Sequence, residues 1–356
     1  MAFKIIKATA KSRKPQPDDS DLGFGRYTTD HMFLMDYTQA GGWHDPRIQP
    51  YQALLLDPAA MVLHYNQEVF EGLKAYHLDD GGIGLFRPDK NIERMNASAR
   101  RMVMPEVDPG LFLEALQELV RIDREWIPTS QGTSLYIRPT MIANEPALGV
   151  RAATQYLFYI ICGPVGAYYP GGFKPTRIFV SNEYVRAVRG GAGAAKTSCN
   201  YGPTLMETKQ ALEKGYSQVL WLDAVERRFV EEVGTSNIFF YLDGELVTPP
   251  LGGTILAGVT RDAVMAMARH WGIRVTERLV AIDEVVAACG NGALTEMFAT
   301  GTAAVIAPVG TIGYQGKDYQ VADGHTGPLT QKLYEAVTDI QYARREDPFG
   351  WLVRID

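Results

Sequence analysis

The sequence predicts a mixed α/β chain of the α+β type, folded as a smaller N-terminal and a larger C-terminal domain. Three observations carry this. Strand-like apolar runs alternate with segments of helical period. Hairpin chemistry recurs, at Asp79-Asp80-Gly81-Gly82 and at Asp243-Gly244. The chain has 356 residues, enough for about two full cores at roughly 150 residues each.

In chain order, His31–Tyr37 is apolar and strand-like, and residues 59–69 read as helical. Leu73–Leu78 and Ile83–Phe86 flank the first hairpin turn. Residues 91–102 place Ile92, Met95, Ala99 and Met102 at helical spacing, and residues 111–126 do the same with Leu113, Leu116, Leu119 and Val120. Ser134–Ala143 and Gln155–Cys162 read as strands, the second almost wholly apolar and therefore central. Gly163–Pro175 holds four glycines and three prolines, a composition that favours a linker. The expected division is thus 1–163, a linker at 164–176, and 177–356. In the second half, Arg177–Ser181, Gln218–Leu222, Arg228–Val233 and the hairpin Asn237–Leu242/Glu245–Thr248 are expected strands. Residues 273–281 and 302–309 join them. Helices are expected at 203–214, at 259–271 stopped by Gly272, at 282–289 and at 329–345.

Composition excludes several classes. Forty-six per cent hydrophobic and 21% charged residues describe an ordinary soluble globular protein. The net charge of −6 supplies no basic field for nucleic acid. No apolar run reaches the 18 or so residues of a membrane helix. Three scattered cysteines imply a reducing compartment. Lys4, Lys7, Lys11, Arg13 and Lys14 precede any acidic residue, but Lys14-Pro-Gln-Pro reads as an extended arm, and a cytoplasmic location is expected.

The chemistry concentrates at Arg189-Gly-Gly-Ala-Gly-Ala-Ala-Lys196-Thr-Ser-Cys-Asn-Tyr201-Gly-Pro203. Its glycines permit sharp backbone and close approach. A lysine buried on such a turn loses charge by desolvation and becomes a nucleophilic amine. Gly190–Thr197 also nearly matches the phosphate-cradling pattern G-x-x-x-x-G-K-[ST], failing only where Ala195 replaces the second glycine. The bland alternative is a solvated loop lysine. Against it stands Phe229-Val-Glu-Glu232-Val-Gly-Thr235-Ser-Asn237, an acidic residue before a Gly-Thr turn inside apolar sequence.

Together these stretches resemble the class IV aminotransferases, and within them the longer, branched-chain amino acid version. The resemblance extends to Tyr27-Thr-Thr-Asp-His-Met32, Val69-Phe-Glu-Gly-Leu-Lys-Ala-Tyr76, Tyr136-Ile-Arg-Pro-Thr140, Pro164-Val-Gly-Ala-Tyr-Tyr-Pro-Gly-Gly172, Leu256-Ala-Gly-Val-Thr-Arg261 and Thr300-Gly-Thr-Ala-Ala304, in the family's order. It implies the two-domain fold type IV of D-amino acid aminotransferase-like proteins, with pyridoxal 5'-phosphate (PLP) as cofactor and no metal.

The resemblance also assigns roles. Lys196 would carry the cofactor as a Schiff base and then, as a free amine, move a proton. Glu232 would sit at the pyridine nitrogen and Tyr201 at the phenolate oxygen. Arg94, the Val259 and Thr260 amides and the Thr302 side chain would hold the phosphate. A helix start at Val259 also suits an anion on physical grounds alone. Arg94 lies off its helix's apolar stripe, and without the family it reads as a solvated charge. Thr235 and the Thr302–Ala303 turn would meet the substrate carboxylate. Phe24, Tyr65, Phe70, Tyr136, Tyr168 and Ala303 would wall its side chain, though for each aromatic alone core packing is the default. Arg138 would receive the distal carboxylate of glutamate. Leu148 and Val150 would close over a partner subunit's pocket, implying a homodimer. The expected reaction moves the amino group of leucine, isoleucine or valine to 2-oxoglutarate. The rival within the fold is a D-amino acid aminotransferase or aminodeoxychorismate lyase, which lacks the arm bearing Thr28-Thr-Asp-His31. Beyond it stand a P-loop-like nucleotide-binding protein and a non-catalytic PLP carrier.

Overall fold

The computed structural model describes residues 3–166 and 172–355. The chain forms two compact units that do not follow chain order. One comprises Met1–Pro170, Ala195–Ser198 and Asp339–Asp356; the other comprises Gly171–Ala194 and Cys199–Thr338.

The first unit contains β1 (Lys4–Ile5), β2 (His31–Thr38), β3 (Gly42–Pro50), α1 (Met61–Tyr65), β4 (Glu68–Phe70), β5 (Leu73–His77), β6 (Ile83–Phe86), α2 (Pro88–Arg101), α3 (Pro109–Ile122), β7 (Ser134–Ala143) and β8 (Gln155–Val165). They form a sheet of order β1-β3-β2-β8-β7-β5-β6, and a C-terminal strand, Leu352–Ile355, closes its edge against β6. Alternation along the first half of β7 sends one set of side chains into the core and leaves the other set half-buried. Leu135, Ile137 and Met141 enter the core with Phe33, Phe158, Leu73 and Ala75. Against them pack Ile92, Met95 and Ala99 of α2 and Phe112, Leu116 and Leu119 of α3. Each large side chain among these contributes roughly 1.5–3 kcal/mol on burial. Tyr136 and Arg138, on the alternate positions of β7, are only half-buried. Asp108 caps α3 by accepting from the Leu111 amide, and Pro109 suits its first turn.

The second unit contains β9 (Thr176–Val180), α4 (Leu205–Glu213), β10 (Gln218–Leu222), β11 (Val230–Val233), β12 (Asn237–Leu242), β13 (Glu245–Thr248), α5 (Val259–His270), β14 (Val275–Glu277), α6 (Ile282–Asn291), β15 (Leu294–Gly301), β16 (Val305–Tyr314) and β17 (Lys317–Gln320). α7 (Pro328–Gln341) follows, and Leu352–Ile355 is β18. The sheet order is β11-β10-β9-β16-β15-β12-β13-β14, parallel at β9/β10, β9/β16 and β13/β14. Phe239 and Phe298, both fully buried, stack across β12 and β15 with centroids 5.3 Å apart.

Several expected elements differ. The helix read over residues 59–69 is only Met61–Tyr65, because Asn66 turns left-handed (φ 51°) and the chain then pairs with β7. The helix expected from Pro203 begins as a 3-10 turn and becomes α-helical at Leu205. The strand over 273–281 shrinks to β14, and the closing helix stops at Gln341. Residues 302–304 are a turn, so the strand expected over 302–309 starts at Val305. Pro164 and Val165, read as the start of the linker, belong to β8. A Cβ on Gly163 would stand 2.1 Å from the Tyr27 carbonyl, so this glycine serves close approach of the arm. Among the described residues no helix is long and apolar enough to cross a membrane, and no acidic, His or Cys cluster could hold a metal ion.

Candidate active site

Lys196 sits in the first unit, held by its backbone from both sides. Its N–H donates to Ser98 Oγ (2.9 Å) and its carbonyl accepts from the Phe70 N–H (3.0 Å). Ser98 Oγ in turn donates to the Arg94 carbonyl (2.9 Å), so the lysine is pinned to α2 and β4 together. The amine lies 4.8 Å from the Phe70 ring centroid. Desolvation pushes its pKa down to about 8; the Arg94 charge adds to the lowering and Glu71 opposes it. A phosphate cradle of the P-loop kind needs a helix to begin at the lysine. Here the next α-helix begins at Leu205.

Arg94 is not the solvated charge its place on α2 suggests; its side chain is 10% exposed. Its Nε donates to Glu71 Oε1 (2.7 Å) and its Nη2 to Glu71 Oε2 (2.8 Å), a two-pronged grip. Burial pushes the fully enclosed Glu71 carboxyl up, but the Arg94 charge and hydrogen bonds outweigh that and hold it below the usual range.

Part of the expected aromatic wall assembles in the same unit as the lysine. Phe24 meets Tyr136 edge-on with centroids 5.0 Å apart. Arg138 lies over Phe70 (4.8 Å) and Tyr136 (5.3 Å), and its Nη2 donates to the Tyr136 hydroxyl (3.0 Å). Tyr65 is placed differently: its hydroxyl donates to the Leu148 carbonyl. Leu148 and Val150 point into solvent, 66% and 86% exposed. Tyr168 lies outside the described residues.

In the second unit Glu232 is 2% exposed on β11. Its Oε1 accepts from the Leu256 N–H (2.9 Å) and Asn237 Nδ2 (3.2 Å), and its Oε2 lies 2.8 Å from Arg186 Nε. Val259 and Thr260 are buried at the start of α5, where Gly258 supplies no side-chain cap. Tyr201 is half-buried beside the 3-10 turn Gly202–Thr204. Thr235 is exposed after Gly234, while Thr302 and Ala303 are half-buried after β15. Because Asn237 pairs with Thr300, these two turns lie at the same end of the sheet.

Sequence reasoning does not single out Glu71, Arg186 or Asn237. Glu71 stands in the Phe-Glu-Gly motif, where an acid between apolar neighbours is the available signal. Asn237 ends the motif that contains Glu232, but an asparagine at a strand start carries no chemical signature. Arg186 has none either.

The first unit thus presents a lysine amine lowered to about 8 by burial, which suits carbonyl chemistry, and the second separately presents a buried acid with fixed oxygens and a helix start with no side-chain cap. Residues 68–312 match the family model of the class IV amino-transferases. The chain belongs to this family. It falls among its branched-chain-amino-acid aminotransferases: it is 55% identical over 343 residues to branched-chain-amino-acid transaminase 1 of Bacillus subtilis (strain 168), covering 96% of each chain. Among solved structures, the branched-chain amino acid aminotransferase of Escherichia coli superposes with a TM-score of 0.76 at 26% identity, over 92% of this chain and 99% of that one. The enzyme of the same name from Thermobaculum terrenum, solved in its PLP form, superposes with a TM-score of 0.74 at 25% identity, over 91% and 98%.

Proposed function

We propose that the chain catalyses reversible amino transfer from leucine, isoleucine or valine to 2-oxoglutarate, with PLP as its cofactor. The observation that carries this is the Lys196 amine, enclosed against Phe70 and lowered to about 8. The residues fit the group, each within its own unit. Lys196 is a competent amine for its aldehyde. Arg94 and the N-terminus of α5 suit its phosphate, and Glu232 suits its pyridine nitrogen.

Bound there, PLP supplies an electron sink for cleaving the amino acid's Cα–H bond. Lys196 takes that proton and returns it, and an amine titrating near the working pH does so efficiently. Glu232 keeps a proton on the pyridine nitrogen, its own oxygens fixed by Leu256, Asn237 and Arg186. Tyr201 donates to the phenolate oxygen. Arg94, the Val259 and Thr260 amides and Thr302 hold the phosphate; Thr235 and the Thr302–Ala303 turn bind the α-carboxylate.

Phe24, Phe70 and Tyr136 exclude water around the branched side chain, and the family resemblance adds Tyr65, Tyr168 and Ala303 to that wall. Such walls discriminate by only ~1–3 kcal/mol per methylene, so the three amino acids should differ modestly. Arg138 receives the second carboxylate of glutamate. The exposure of Leu148 and Val150 supports a homodimer in which they cover the partner's site, to be read as the mass in solution.

The test is the absorbance of purified protein together with leucine turnover. The wild type should be coloured by bound PLP and convert leucine with 2-oxoglutarate; Lys196→Ala should lose both. A colourless, inactive wild type overturns the reading.

A further inference from the structure

We propose that Glu71 is a positioning residue, whose carboxylate aims the Arg94 guanidinium at the cofactor's phosphate. The proposal rests on the function proposed above.

Glu71 follows Phe70 on the bend between β4 and β5 and is fully buried. Both its oxygens are committed. Oε1 accepts from Arg94 Nε (2.7 Å). Oε2 accepts from Arg94 Nη2 (2.8 Å), from Asn91 Nδ2 (2.7 Å) and from the Gly72 N–H (3.1 Å). Its own N–H is tied to the Pro139 carbonyl (2.8 Å), so the carboxylate is fixed by backbone as well as by side chains. The result is a rigid socket made by β4, β7 and α2.

Arginine is a long side chain that loses much rotamer freedom when it is held in one geometry. A guanidinium is also planar, with five donors in a fixed fork. Gripping Nε and Nη2 therefore sets the plane of the group and the direction in which the remaining donors face. The ordering cost is met on folding, before any anion arrives, which is how preorganisation raises affinity.

A plain neutralising role makes the opposite prediction. Were Glu71 only a countercharge, it would weaken attraction of an anion to Arg94, and removing it would strengthen phosphate binding. As a positioning residue, its removal weakens that binding. The sign separates the two.

The experiment compares PLP with pyridoxal, which has the same aldehyde and ring but no phosphate. Full-length protein stripped of cofactor is titrated with each, reading the absorbance of the bound aldehyde. The wild type should favour PLP strongly. Glu71→Gln, nearly the same shape without the charge, should reduce the PLP-over-pyridoxal ratio by about tenfold or more; the lost influence of Glu71 on the Lys196 amine touches both aldehydes alike and cancels in the ratio. Asn91→Ser removes one donor to Oε2 and should lower the ratio less, about threefold; it serves if Glu71→Gln does not fold. An unchanged or increased ratio in the folded variants overturns the proposal. A wild type that binds neither compound overturns the function itself, a different result.

Discussion

A Cβ built on Gly72 stands 2.2 Å from the Tyr136 hydroxyl. The tyrosine lies against β5 only because residue 72 has no side chain. From there its ring meets Phe24 and its hydroxyl accepts from Arg138. Gly72→Ala must displace the ring, at about 1–3 kcal/mol of overpacking. The damage should appear as an increase in KM for leucine of roughly tenfold, with kcat changed much less, since Lys196 is held separately by Ser98 and Phe70. Steady-state kinetics check this; an unaltered KM would show that Tyr136 does not line the substrate site.

The motif Thr28-Thr29-Asp30-His31 has a structural use in the first unit. Lys14 Nζ donates to Thr28 Oγ1 (2.6 Å) and the Thr29 carbonyl (2.7 Å), and Asp30 accepts from the Lys14 N–H (2.8 Å) and Trp126 Nε1 (3.1 Å). His31 Nδ1 pairs with Asp123 Oδ1 at 2.6 Å, both nearly inaccessible, while Nε2 accepts from the Ala8 N–H (2.8 Å). An imidazole that accepts at Nε2 is neutral and carries its proton on Nδ1. Asp123→Ala removes the acceptor for that proton and for the His31 N–H, leaving buried donors unpaired at about 2–4 kcal/mol. The melting temperature should fall by at least about 3 °C, and the Ala8 amide should lose hydrogen-exchange protection. Protection that persists in the variant would detach the arm from this pair.

Legibility in the sequence follows how local the determinant is. Ser134–Ala143 is readable to the residue because alternation and apolar content coincide there. β3 is not, since Gly42–Pro50 carries Trp, His, Asp, Arg and Gln and gains its strand character from pairing with β2. β18 is hidden for the same reason: it exists by closing an edge against β6. Of the candidate residues, Lys196 and Glu232 stand in short motifs, and the motifs alone single them out. The periodicity of α2 misplaces Arg94, because its partner Glu71 lies 23 residues away and no helical repeat encodes that meeting. Glu71, Arg186 and Asn237 each hold a neighbour's side chain, and such contacts exist only in three dimensions.

Lys74 offers a pH test within the same sheet. It is 6% exposed on β5, and desolvation lowers its amine to about 8. Below pH 8 the folded protein carries this charge against the desolvation that lowers its pKa, whereas the unfolded chain, with an ordinary lysine, does not feel it. Between about 8 and 10.5 the folded state sheds the proton before the unfolded state does, so the unfolded chain binds more protons and stability rises with pH. Lys74→Met should therefore stabilise the protein at about pH 7, by an amount on the order of 1–3 kcal/mol. That advantage should shrink as pH climbs from about 8 towards about 10. Denaturant midpoints across that range check it; a Met variant with the same margin at every pH, or one less stable near neutrality, contradicts the assignment.

Gly258 links the start of α5 to Glu232. A Cβ there would lie 1.9 Å from Asn237 Oδ1, and Asn237 cannot easily yield, since its Nδ2 donates both to the Leu256 carbonyl (2.9 Å) and to Glu232 Oε1 (3.2 Å). The backbone at 258 is ordinary for any residue (φ −69°), so the penalty of Gly258→Ala is a collision rather than backbone strain. Relief requires the asparagine to swing away, which removes one of the two hydrogen bonds to Glu232 Oε1 and shifts the first turn of α5. Both changes strike groups assigned to the cofactor, the pyridine partner on one side and the Val259 and Thr260 amides on the other. PLP retention through gel filtration should drop by about tenfold or more in the alanine variant. Adding Asn237→Ala removes the atom that collides and should recover part of the loss, since the collision disappears even though one hydrogen bond to Glu232 is gone. A double variant worse than Gly258→Ala alone would mean that the amide matters for its own bonds and that the glycine is not there to make room for it.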